Sequence, residues 1–309
     1  MITENIVVGE GSKYPLKGIL TLPENLKAPV PAVVFVHGSG ASNRDEKIGK
    51  VTPFKDLAEG LAKYGIASIR YDKRSFAHGL KLLREKIITV KEETIEDAIL
   101  ATELLKKDPR IDGENIFIAG HSMGAMLAPR IDAEGGNYRG LALLAGSPRK
   151  LEDILMDQTK AAMDAMNPVL QRIAGKQMKK ILTSFEGLYE LSDEDAKKKK
   201  VGGGTTLYYF KEMGEHASPA YLKNLEKPVI IMQGEKDFQA TVEKDYAAYQ
   251  KLLEGKDNVT FCLYENLNHV FVPSVYGTLM KAKQEYNVEQ HIGEPVISDL
   301  AHWILNAVS

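Results

Sequence analysis

Short apolar runs recur along this chain and alternate with stretches of helical spacing, and that rhythm restricts the fold more than any other feature. The runs are Pro31 to Val36, Ala67 to Tyr71, Ile116 to Ala119, Gly140 to Ala145, Pro228 to Gln233 and Val259 to Tyr264. Runs this short and this apolar, bounded by turn residues, read as strands. Between them lie helical stretches at Pro53 to Tyr64, at Thr94 to Lys107, around Val242, Tyr246, Tyr249 and Leu253, and at Glu289 to Val308. In the second, Ile95, Ala98, Ile99 and Leu105 share a stripe with one hydroxyl, Thr102, and Thr94 with Asp97 resembles a capping box. Ahead of all these, Ile6 to Val8 and Leu16 to Leu22 flank a Gly-Ser-Lys turn and read as an antiparallel pair. The pattern predicts an α/β fold: a mostly parallel central sheet with helices on both faces.

The rhythm breaks between Ser147 and about Leu225, where helical segments rich in Met, Lys and Leu accumulate without a buried strand. Residues 1–146 and 226–309 therefore form the predicted core domain, and 147–225 a helical cap, or lid, inserted into it. Met163, Met166, Met178, Phe185, Leu188, Tyr189, Tyr208, Tyr209, Phe210 and Met213 give the insertion adaptable apolar surface, assigned mainly to its own core. Gly202-Gly203-Gly204 suits a hinge, a mobile loop or a plain surface loop.

The run Ile116 to Ala119 leads into Gly120-His121-Ser122-Met123-Gly124, and a helix-compatible stretch follows. A serine hydroxyl is a weak nucleophile at neutral pH, so it has to stand clear of other side chains, beside a base, near amide protons that receive an oxyanion. A tight strand-to-helix turn meets these needs, with glycines where β-carbons would collide. Ser122 is the candidate nucleophile, exposed and strained.

Such a nucleophile calls for an acid and then a histidine later in the chain, each on a loop after a strand. Asp237 follows Pro228 to Gln233 in the turn Gly234-Glu235-Lys236-Asp237, and His269 follows Val259 to Tyr264 through Glu265-Asn266-Leu267-Asn268. His269 is predicted to move the proton, and Asp237 to fix its tautomer. Glu235 is the rival acid. His121 suits packing or a supporting hydrogen bond, His37 suits loop hydrogen bonding, and His78, His216, His291 and His302 lack a strand-end context.

These motifs resemble those of the α/β-hydrolase superfamily, and more narrowly of bacterial carboxylesterases in its dienelactone-hydrolase and serine-aminopeptidase-like branch. The resemblance covers most of the chain. It rests on His37-Gly38-Ser39-Gly40 with Asn43-Arg44-Asp45, on Arg70-Tyr71-Asp72-Lys73-Arg74, on the Ser122 elbow, on Gly234-Glu235-Lys236-Asp237 and on Asn268-His269. It implies a triad of Ser122, Asp237 and His269, oxyanion amides at Ser39 and Met123, and a cap sitting over Ser122. Ser75 departs from it, since relatives with the Asp-Lys-Arg stretch often carry glycine there.

The implied activity is hydrolysis of small to medium apolar acyl or aryl esters, with no metal or organic cofactor required. Thioesterases, acyltransferases and peptidases use the same machinery, and a silent binding protein could keep the fold. Arg44, Asp45, Asp72, Lys73 and Arg74 are read as ion pairs bracing the loops rather than as substrate contacts. With 309 residues, 44% of them hydrophobic and 27% charged, the chain can bury a large core. A formal charge of −2 gives no reason to expect a nucleic-acid or anionic-membrane partner. Lys197 to Lys200 reads as a solvated helix end, and Cys262 as a small, inert, buried residue. No apolar run reaches the length of a membrane span, no export signal is visible at Met1 to Asn5, and cytoplasmic residence is the expectation.

Overall fold

The computed structural model describes residues 1–85, 87–201 and 204–309. Its strands are β1 (Ile2–Val8), β2 (Leu16–Leu22), β3 (Val30–Val36), β4 (Ala67–Tyr71), β5 (Ile111–His121), β6 (Leu141–Leu144), β7 (Val229–Gly234) and β8 (Val259–Tyr264). They form one sheet in the order β1-β2-β4-β3-β5-β6-β7-β8. β1 pairs antiparallel with β2 and β2 with β4, and every pairing from β4 to β8 is parallel.

Side chains alternate across a strand, so a strand covered on both faces must be apolar at every position. β3 meets that demand. Val33 and Phe35 face Leu57 and Leu61 of the helix Pro53–Lys63 and Val296, Leu300 and Ile304 of the helix Glu294–Val308. Val34 and Val36 face the opposite layer, which holds Ala98, Ala101 and Leu105 of the helix Glu96–Lys106 and Leu127 and Ile131 of the helix Met123–Ile131. Each such leucine or valine contributes about 1.5–3 kcal/mol by burial. The mostly parallel α/β sheet with helices on both faces predicted from the rhythm is present.

Strand order places the chemistry. The chain leaves β3 toward β4 on one side and leaves β5 toward β6 on the other, so the carboxyl ends of adjacent β3 and β5 flank a topological switch point, where open α/β sheets bind ligands. His37-Gly38-Ser39-Gly40 follows β3, and Ser122 follows β5.

Several boundaries differ from the sequence reading. The helix predicted from Thr94 begins earlier, with a wide turn over Lys91–Ile95 running into Glu96–Lys106. Thr94 is therefore inside it, and the capping interaction is made by Thr89, whose backbone N–H donates to Glu92 Oε2 at 2.8 Å. Asp97 instead receives Arg74 at 2.5 Å. The closing helix starts at Glu294, because Pro295 suits its first turn. Cys262 is half-buried rather than buried, since β8 is an edge strand, and burial pushes its thiol up from its ordinary value.

Between β6 and β7 run the helices Leu151–Asp164, Pro168–Ser184, Asp193–Lys198, Leu207–Glu215 and Ser218–Leu222. Phe185, Leu188, Tyr209, Phe210 and Met213 are buried there, in the same apolar cluster as the sheet face carrying Val34 and Val36, whereas Met163, Met166 and Met178 are only partly buried and Tyr189 is exposed. Gly204 has a left-handed φ of +93°, and Gly202 and Gly203 lie outside the described residues. No helix among the described residues is long and apolar enough to cross a membrane.

Candidate active site

The elbow is built by close backbone approach. A β-carbon on Gly120 would lie 2.2 Å from the carbonyl oxygen of Gly124, and one on Gly124 would lie 2.1 Å from that of Val36. Only glycine fits either position. Between them Ser122 has φ 53° and ψ −117°, a strained conformation for a residue with a side chain. Its N–H is anchored to Leu144 O at 2.8 Å, and its C=O receives the amides of Ala125 and Met126 at 3.0 and 3.2 Å. The strain predicted at Ser122 is found, although the residue is half-buried rather than exposed. Met123 opens the helix, so its N–H is one of the first-turn amides that the helix itself leaves unpaired.

His269 Nδ1 donates to Asp237 Oδ2 at 2.7 Å, with both residues buried. That bond leaves Nε2 as the nitrogen able to accept a proton. The Asp237 carboxylate is held rigidly: Oδ1 accepts from the amides of Gln239 and Ala240 at 2.7 and 3.0 Å, and Oδ2 also accepts from Gln233 Nε2 at 2.9 Å. Glu235 does not reach the histidine. Its carboxylate accepts from the Asn266 amide at 3.2 Å, tying together the loops that carry Asp237 and His269.

Ser122 and His269 line one cavity of about 220 Å³ together with Gly38, Ser39, His121, Met123 and Met126. A second cavity, of about 590 Å³, is lined by Leu82, Ile87, Ile88, Tyr209 and Phe210 among others. Ser39, Met123, Leu151 and Leu155 belong to both walls, so the two cavities meet beside the oxyanion amides implied by the sequence.

The neighbouring histidines take supporting positions. His121 Nε2 donates to the carbonyl oxygen of His269 at 2.9 Å, and its Nδ1 lies 3.1 Å from Glu46 Oε2. Burial opposes charge on both groups, yet each offsets that for the other: Glu46 raises His121 above its ordinary value, and His121 lowers Glu46. His37 Nε2 bonds Asn43 O at 3.0 Å, and burial, with Lys73 adding to it, lowers His37 to about 4, so it is neutral. His78, His216 and His291 bond Pro15, Tyr221 and Asp56, away from the cavity, and His302 packs on Tyr64.

The charged loop residues pair internally. Arg44 meets Asp72 at 3.1 Å, Arg70 meets Asp45 at 2.8 Å, Arg74 meets Asp97, and Lys73 Nζ donates to Gly38 O at 2.8 Å. In the stretch read as a solvated helix end, Lys198 is exposed and pairs with Asp195, while Lys197 and Lys200 border the larger cavity. Sequence reasoning passed over Gln233 and Glu46. Gln233 was absorbed into an apolar strand, although a buried amide at a strand end needs a polar partner.

Fold and loop arrangement are those of an α/β-hydrolase. More narrowly, residues 27–272 match the family described as serine aminopeptidase, S33, and the chain belongs to that family. It is 33% identical over 291 residues to the esterase EstD of Thermotoga maritima, covering 94% of this chain and 65% of that protein. The chain thus spans just under two thirds of that relative's length. Among solved structures, Est1E from Butyrivibrio proteoclasticus superposes with a TM-score of 0.60 at 14% identity, over 98% of each chain. An esterase of Pyrococcus furiosus gives 0.58 at 14% identity, over 100% of this chain and 92% of its own. At such identities these two likenesses concern the fold alone.

Proposed function

We propose that this protein is a serine carboxylesterase that hydrolyses small to medium apolar acyl or aryl esters through an acyl-enzyme on Ser122. The observation that carries the reading is the meeting, at one cavity, of a strained elbow serine and a buried histidine whose Nδ1 is held by Asp237 at 2.7 Å. The relative's description as an esterase supports the choice of bond.

His269 Nε2 takes the Ser122 hydroxyl proton as Oγ attacks the ester carbonyl, and the oxygen that gains charge is received by the amides of Ser39 and Met123. Collapse expels the alcohol, which His269 protonates. Water then repeats the sequence on the acyl-enzyme, and Asp237 stabilises the imidazolium in both halves. Residues 147–225 act as the cap. The apolar lining of the larger cavity, from Leu82, Ile87, Ile88 and Phe210, supports an uncharged acyl or aryl group there.

An aminopeptidase, the activity in the family's description, has to neutralise a free amine beside the scissile bond. The described carboxylates bordering either cavity are already engaged: Glu46 by His121, Glu85 by Lys13 and Tyr14, and Glu93 by Lys73 and Tyr209. This favours the ester reading. Hydrolysis of a nitrophenyl ester series from acetyl to dodecanoyl, beside aminoacyl-nitroanilides, tests it: turnover of the shorter esters is the expected result, and turnover of the anilides alone contradicts it.

A further inference from the structure

Gly38 lies between two buried charges of opposite sign, one on each of its flanking peptide groups. Glu46 Oε1 accepts the Gly38 N–H at 2.7 Å, and Lys73 Nζ donates to the Gly38 carbonyl oxygen at 2.8 Å. Glu46 is 3% exposed and Lys73 2%. Charges this deep are costly to bury and persist only where they are paired and hydrogen-bonded. Lys73 is paired with Glu93 at 3.5 Å, Glu46 with His121 at 3.1 Å. Glu46 itself has a left-handed φ of 50°, so its backbone as well as its side chain is held in a restricted conformation.

The geometry of the peptide bond gives this arrangement a consequence for the reaction. In a planar trans peptide the C=O of one residue and the N–H of the next point in opposite directions. An ammonium fixed on the Gly38 carbonyl therefore fixes the direction of the Ser39 N–H, the amide assigned to the oxyanion. The fit is close, since a β-carbon on Gly38 would lie 3.1 Å from Ser122 Cβ and 3.5 Å from Glu46 Oε1. Glu46 also reaches the other side of the site through His121, whose Nε2 donates to the His269 backbone carbonyl at 2.9 Å.

We propose that Lys73 and Glu46 are positioning residues for ester hydrolysis: Glu46 on the His37–Gly38 peptide and Lys73 on the Gly38–Ser39 peptide clamp Gly38 from both sides so that the Ser39 amide faces the developing oxyanion, and through His121 Glu46 registers that loop against the one carrying His269. This deepens the proposed function and rests on it. Each is assigned to act through Gly38 rather than to exchange a proton with the substrate. The clamp acts on the transition state, because the amide it aims meets full charge only there.

The test compares wild type with Glu46→Ala, Glu46→Gln and the double variant Lys73→Met/Glu93→Gln, which removes both charges of that pair and leaves no buried carboxylate unpaired. Each is measured for kcat and KM on nitrophenyl butyrate, affinity for a trifluoromethyl ketone whose hemiketal oxygen occupies the oxyanion position, and melting temperature. Glu46→Ala and the double variant are expected to lose about 30- to 100-fold in kcat, with KM within about threefold, as weakened oxyanion stabilisation does. Ketone affinity is expected to fall in parallel. Glu46→Gln is expected to recover at least about tenfold of that loss, because its amide oxygen still accepts the Gly38 N–H and its NH₂ can donate to His121 Nδ1.

Folded variants with wild-type kcat, a loss confined to KM, or Glu46→Gln as slow as Glu46→Ala would each overturn the clamp. Labelling of wild-type Ser122 by a fluorophosphonate separates the two claims. If wild type neither labels nor turns over ester, the proposed function fails and the clamp's role falls with it; if wild type does both and the variants match it, only the clamp fails.

Discussion

Asp237 Oδ2 lies 2.7 Å from His269 Nδ1 across 32 residues of sequence, on loops that leave neighbouring parallel strands. The parallel register of β7 and β8 brings those loops to the same end of the sheet, and Glu235 pins one to the other through the Asn266 amide. The same edge carries the loop after β3 and the elbow after β5.

Because Asp237 and not Glu235 meets the histidine, Asp237→Asn is expected to lower kcat by about 10⁴-fold, through the wrong imidazole tautomer, with little change in folding. Glu235→Gln, at an exposed position, is expected to leave kcat within about threefold and stability within about 0.5 kcal/mol. Steady-state kinetics of the pair decides which carboxylate serves His269.

His37 gives stability a definite dependence on pH. Burial lowers its folded-state value from 6.5 to about 4, so between those values the unfolded chain binds a proton that the folded chain does not. Its contribution is fully present above pH 6.5 and is lost as pH falls through about 4. The excess unfolding free energy of wild type over His37→Asn should shrink by roughly 3 kcal/mol between pH 7 and pH 4, as read by urea unfolding across that range. A difference independent of pH would contradict a buried neutral His37.

Gly124→Ala would place a methyl 2.1 Å from the Val36 carbonyl oxygen, which is backbone and cannot swing aside. A loss of about 3 kcal/mol or more in unfolding free energy is expected, at the upper end of overpacking costs. Chemical denaturation reads it directly.

Leu82 lines the larger cavity and is 6% exposed. Leu82→Trp fills space that a long acyl chain would occupy, so kcat/KM for nitrophenyl octanoate should fall by roughly 10-fold or more while acetate hydrolysis stays within about threefold. Equal losses on both esters would assign the cavity no part in chain-length preference.

Much of this was legible in the sequence. Buried parallel strands announce themselves as unbroken apolar runs, and β3, β5 and β7 have no other reading. The elbow was legible because its glycines answer a local steric demand. The start of the helix before Glu96 was not, because Thr94 and Asp97 have capping spacing while Thr89 and Glu92 make the interaction. Glu46 and Lys73 were opaque in function for a different reason: Glu46 meets His121 and Lys73 meets Gly38 across long stretches of chain, and nothing local distinguishes a buried glutamate that holds a peptide from a surface one. Gln233 acts on Asp237 only four residues on, and was hidden by the apolar run it ends.

Every role proposed at the site depends on Ser122 being the nucleophile, and the most direct test is fluorophosphonate labelling with peptide mapping, run beside nitrophenyl butyrate turnover for wild type and Ser122→Ala. The expected result is one labelled peptide carrying the adduct on Ser122, with labelling abolished and kcat lowered at least about 10³-fold in the variant at an unchanged melting temperature. Label on another residue, or Ser122→Ala turning over at the wild-type rate, would contradict it.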